Sequence, residues 1–209
     1  VQTLGGTPAF IHGGPFANIA HGCNTLIATR TAQQYADIVL TEAGFGSDLG
    51  AEKFFDIKAR YGELDVAGAV IVATVRSIKH NAGVAKAELS NENVAALEEG
   101  IVNLERHVEN VRKFGVTPVV ALNRFSTDSE AELDFLKNWA KANGIALAEA
   151  DVWAKGGDGA LELAQTLLDN LTEGTSHPLY DPAEGVEASI ETIAKAVSYT
   201  HLRAHETVL

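Results

Sequence analysis

The sequence predicts an α/β fold, a mostly parallel sheet flanked by helices. Three observations lead there. Short apolar runs alternate with longer segments of helical period; the runs carry Val, Ile, Leu and Ala without polar alternation; and glycines close the helical segments. Strand–helix–strand repeats of these lengths pair in parallel through right-handed crossovers, and ligands then bind beyond the carboxyl ends of the strands.

The elements follow in order. A helix is expected near 24–36, then a core strand at "DIVLTEA" (37–43) and a helix beginning near Leu49. A second strand is "GAVIVATV" (68–75). Segment 91–114 is the clearest amphipathic helix, with Val94, Leu97, Ile101, Leu104, Val108 and Val111 at spacings of three and four and charged residues largely between them. Asn91 is the expected N-cap and Gly115 the expected stop. "TPVVALN" (117–123) and "IALAEA" (145–150) complete the strands. Helices near 128–143, 158–172 and 184–196 complete the pattern, and Trp139 on the first of these is assigned to core packing.

Composition sets further bounds. The 209 residues, 46% hydrophobic, suffice for one sizeable core or two small domains sharing an interface. Sixteen basic against twenty-eight acidic residues leave a net charge of -12, which repels nucleic acid and anionic membrane surfaces. A single cysteine, Cys23, makes no intramolecular disulfide and reads as a small buried residue. No segment approaches the roughly 18 apolar residues of a membrane span, so a reduced, soluble, cytoplasmic setting is expected. The chain begins at Val1 without an initiator Met, and a fragment of a longer protein is expected.

Four strand-end loops carry candidate chemistry. "EAGFGSDLGAEKFFDIK" (42–58) places Gly44, Gly46 and Gly50 around Asp48, which fits an anion site or a turn capped by Asp48. "VATVRSIKHNAG" (72–83) delivers Arg76, Lys79 and His80 past an apolar run, which fits phosphate or carboxylate binding or a solvated turn. "LNRFSTDSE" (122–130) and "DVWAKGGDGALEL" (151–163) set Phe125 and Trp153 just beyond core strands, where two rings grip a flat heterocycle or pack beneath a loop. His201 and His205 are spaced four apart, but no third ligand accompanies them and no metal site is assigned.

These loops, together with "TPAFIHGGPFANIAHGCN" (7–24), resemble motifs of formate–tetrahydrofolate ligase, and the resemblance is colinear over residues 1 to about 197. Ile78 and Ala82 stand where the family motif is expected to carry Leu and Gly. The resemblance implies a P-loop-ligase-like fold, incomplete here. It implies two steps: formate attacks the γ-phosphate of ATP to give formyl phosphate and ADP, then N10 of tetrahydrofolate takes the formyl group and phosphate leaves. It implies magnesium with ATP, a monovalent cation such as potassium or ammonium, small-molecule partners only, and a homotetramer in the complete enzyme. It makes Phe125 and Trp153 a pterin-stacking pair, puts Asn123 near adenine, and places His12, Gly13, Gly14, Asn18 and His21 near the phosphates. No G-x-x-x-x-G-K-[ST] occurs in the chain, so the catalytic P-loop lysine is absent from it and the isolated segment is expected to be inactive. The alternative is a non-catalytic pterin- or nucleotide-binding module. The expected organisation is 1–75 as part of a nucleotide-binding domain, 76–197 as an α/β folate-binding region, and 198–209 as a non-native tail.

Overall fold

The computed structural model describes residues 1–11 and 23–198. His12, Gly13, Gly14, Asn18 and His21, and the histidines of the tail, therefore lie outside the described residues. The chain forms two compact units. Described residues of Val1–Asp65, Lys113–Gly115 and Thr175–Leu209 make one, and Val66–Arg112 with Val116–Gly174 make the other. The first break between the units falls after Asp65, ahead of the strand at Ala69–Ala73, which pairs with a later strand of its own unit.

The second unit is the expected parallel α/β layer. Strands β1 (Ala69–Ala73), β2 (Pro118–Asn123) and β3 (Ala146–Ala150) lie in the order β1-β2-β3 and pair in parallel, with Ala69 opposite Pro118 and Asn123 opposite Ala150. Parallel neighbours require crossovers, and helices supply them. The chain's first helices, α1 (Leu26–Gln33) and the short α2 (Arg60–Gly62), belong to the other unit; α3 (Val75–Asn81) and α4 (Val94–Lys113) join β1 to β2, and α5 (Glu130–Ala142) joins β2 to β3. The core gathers Val75, Ile78, Leu97, Ile101, Leu104 and Val108 against Val120, Leu122, Leu133 and Leu136, with Trp139 packed on it partly buried. α4 thus buries the stripe that its sequence periodicity marks. Asn93, not Asn91, accepts the Ala96 amide at 3.0 Å, because the helix starts at Val94 and only the adjoining residue reaches its first-turn N–H groups. Burial on both faces, expected of every strand, holds for β2; β1 alternates and leaves Val70 and Val72 exposed. Beyond β3 come α6 (Val152–Lys155), a 3₁₀ turn (Gly156–Ala160) and α7 (Leu161–Asp169).

In the first unit, Thr25 caps α1 through its side chain. The expected strand at 37–43 does not form: the run is irregular, with Ile38 and Leu40 exposed. A strand exists only through pairing, and no described segment pairs with this one. Helical backbone then runs from Gly46 to Gly62, π-helical over Gly46–Ala51 and Phe54–Ala59 and ending as α2. It buries Phe54 and Phe55, and Phe55 stacks on Phe114 with ring centroids 4.4 Å apart. Gly115 closes α4 with φ 78°, as its position predicts; a Cβ there would sit 2.1 Å from the Thr175 carbonyl oxygen. The later helix α8 (Val186–Ile193) continues as a π-helical turn to Ser198. Among the described residues no helix is long and apolar enough to cross a membrane.

Candidate functional site

The carboxyl ends of β1, β2 and β3 bring three loops to one edge of the sheet. Each loop is fixed by its own sequence. After β1, Thr74 caps α3 by accepting the Ser77 amide at 2.9 Å while Ser77 Oγ accepts the Thr74 amide. That reciprocal cap places Arg76 on the first turn. After β2, the Phe125 amide donates to Asp128 Oδ2 at 2.8 Å and the Asp128 amide donates back to the Phe125 carbonyl at 3.0 Å, a closed turn. After β3, the Asp151 amide donates to the Gly159 carbonyl at 3.0 Å, and a Cβ on Gly159 would lie 2.2 Å from the Asp151 carbonyl oxygen. Glycine is required for that closure.

The two candidate rings stand on neighbouring strand ends. Asn123 and Ala150 are opposite each other in register, and the Arg124 amide continues the ladder to the Ala150 carbonyl at 3.0 Å. Phe125 and Trp153 follow two and three residues beyond that pair. Trp153 is 89% exposed, so the packed alternative does not describe it, and Phe125 is 36% exposed. The Arg76 guanidinium lies over the Phe125 ring, 4.4 Å from its centroid, and donates to Thr127 Oγ1 at 3.1 Å. One ring face is thereby covered by a cation. Arg76 Nε is buried and has no hydrogen-bond partner among the described residues.

The surrounding charges are mutually committed. Arg124 bridges Glu130 at 2.6 Å and Glu149 at 3.2 Å, Lys137 also meets Glu149 at 2.5 Å, and Lys155 meets Asp151 at 3.1 Å. Burial would raise Glu149, yet Lys137 and Arg124 outweigh it and hold the carboxyl below its ordinary value. Burial pushes Asp128 up, opposed by its bond from the Phe125 amide.

Lys79, expected beside Arg76 as an anion ligand, serves elsewhere. Its ammonium is 1% exposed and donates to Glu132 Oε1 at 2.7 Å and to the Asn91 carbonyl at 2.9 Å. An apolar helix face with one inward lysine leaves that lysine no route to solvent, so a carboxylate from α5 neutralises it. Gly46, Asp48 and Gly50 fall in the other unit. The Gly50 amide is taken by the Phe45 carbonyl at 3.0 Å, Gly46 sits at φ 74°, and Asp48 is exposed in the first turn without capping it. A Cβ on Gly50 would lie 1.8 Å from the Gly44 carbonyl oxygen, so close backbone packing accounts for that glycine. Asn123 ends β2 partly exposed.

Sequence reading missed Asp128 and Thr127, which hold Phe125 and Arg76, and the buried pairing of Glu132. The last had a visible signal, since Ser129-x-x-Glu132 is a capping box ahead of an apolar run.

Comparison with known proteins gives a concordant result. The family model described as formate–tetrahydrofolate ligase matches residues 1–204. A formate–tetrahydrofolate ligase of Corynebacterium diphtheriae is 64% identical over 197 residues, 94% of this chain and 36% of the relative. Ligases of the same name from Corynebacterium jeikeium and Staphylococcus aureus strain JH9 are each 55% identical, covering 94% of this chain and 34% and 36% of the relatives. The chain thus spans about a third of the length of the curated relatives it matches.

Proposed function

Because the chain belongs to the formate–tetrahydrofolate ligase family, we propose that it is the pterin-binding part of a protein that joins formate to tetrahydrofolate with ATP. In this reading a formate oxygen attacks the γ-phosphorus and the bond to ADP breaks. N10 of tetrahydrofolate then attacks the formyl carbon, the carbon–oxygen bond breaks and phosphate leaves. Residues 76–197 carry the folate-binding role and 1–75 part of the nucleotide-binding role, with Asn123 near adenine and His12, Gly13, Gly14, Asn18 and His21 near the phosphates. Magnesium accompanies ATP and a monovalent cation assists; among the described residues no three His, Cys, Asp or Glu side chains cluster as metal ligands, and neither ion is assigned residues here. The complete enzyme is a cytoplasmic homo-oligomer in this reading, and this chain alone, whose sequence has no P-loop, binds without turnover.

One observation carries the reading: an exposed indole and a half-covered phenyl ring stand on adjacent strand ends within the matched region. A flat pterin slots between such rings, and Arg76 behind Phe125 keeps that ring from collapsing into the loop. Each ring stack contributes about 1–3 kcal/mol. Trp153→Ala is therefore expected to weaken tetrahydrofolate binding by about 5- to 150-fold in a titration of this chain followed by calorimetry. Because the indole is 89% exposed, the variant should melt with the parent. Unchanged affinity at unchanged stability would remove Trp153 from the site.

A further inference from the structure

The first unit contains a buried cation that no carboxylate among the described residues neutralises. Lys58 is 2% exposed, on the π-helical stretch, and its ammonium donates to Asn24 Oδ1 at 2.8 Å and to Thr41 Oγ1 at 3.4 Å, with the Phe54 ring centroid 5.3 Å away. Both acceptors are neutral. Among the described residues no carboxylate lies within ion-pair distance of Lys58, which sets it apart from the equally buried Lys79 with its Glu132. Among the described residues its one titratable neighbour is Cys23, whose thiol burial pushes up and so keeps uncharged, with Lys58 and Lys53 opposing that rise. Thus Cys23 supplies no countercharge either.

A buried ammonium with three N–H groups, two neutral acceptors and no anion among the described residues has capacity for a further acceptor. Burial pushes Lys58 down from its ordinary value, and an anion within reach would push it back up. Asn24 and Thr41, which hold the ammonium, are each only partly buried. We propose that Lys58, framed by Asn24 and Thr41, is the anchor of a small-oxyanion site that takes a phosphate or carboxylate on its third N–H. This inference uses neither Phe125 nor Trp153 and stands apart from the pterin reading.

The test uses the 209-residue chain with inorganic phosphate, and separately formate, against chloride at equal ionic strength. At tenfold the dissociation constant, a ligand that binds the folded state should raise the melting temperature by about 3–6 °C. Phosphate, formate or both should do so in the parent and not in Lys58→Met, and whichever acts identifies the anion. Equal shifts in parent and variant would show a general salt effect and overturn the proposal, as would no shift in the parent. Should Lys58→Met not fold, ¹⁵N NMR of the Lys58 Nζ in the parent decides: movement on titration supports the site, and a fixed resonance overturns it.

Discussion

Replacing Glu132 with Gln should destabilise the sheet unit severely. Glu132 is 0% exposed and Lys79 is 1% exposed, so the pair is out of water and 2.7 Å apart. Glu132 also accepts the Asn93 amide at 3.0 Å and the Ser129 amide at 3.1 Å, tying the starts of α4 and α5 to α3. Burial alone would raise this carboxyl; the bonds from Lys79, Ser129 and Asn93 outweigh it and hold it below its ordinary value. Gln keeps the shape and part of the bonding but leaves the ammonium uncompensated, a loss of about 3–5 kcal/mol. For a chain of this size that is a fall of roughly 6–20 °C in melting temperature. Both tryptophans, Trp139 and Trp153, lie in the sheet unit, so their fluorescence during urea or thermal unfolding reports on it specifically. The double variant Lys79→Met with Glu132→Gln should recover much of the loss, since it removes the uncompensated ammonium while the Gln oxygen still accepts a backbone amide. A fall under 2 °C for Glu132→Gln, or a double variant less stable than the single, would refute the claim that the penalty is an unpaired charge.

Two other outcomes follow from the first unit. Gly50→Ala puts a Cβ 1.8 Å from a backbone oxygen that has no flexible end to swing away, and should cost about 1–3 kcal/mol, read as lost hydrogen-exchange protection over residues 46–62. Burial, and next the neighbouring Asp56, push Glu52 up from 4.5 to about 7. A raised acid binds its proton more tightly when folded, so this unit should be most stable below about pH 4.5 with respect to that group and lose roughly 3 kcal/mol as pH rises to about 7. Glu52→Gln should flatten the pH dependence of exchange in that unit, and an unchanged slope would reassign the effect.

The α/β class, the three strands that pair, the buried stripe of α4 and the position of both candidate rings were legible in the sequence, because each depends on local periodicity and on the rule that loops follow strands. Tertiary structure alone decided which apolar run becomes a strand. "DIVLTEA" is apolar like β2 but pairs with no described segment, and hydrogen-bonded pairing is a property of two segments. It also decided the fates of three cations that look alike in the chain. Lys79 turns inward to Glu132, Arg76 lies on Phe125, and Lys58 is buried against neutral oxygens. A lysine's sequence neighbours do not reveal whether a carboxylate 53 positions away will meet it, and that meeting separates a structural charge from one that awaits a ligand.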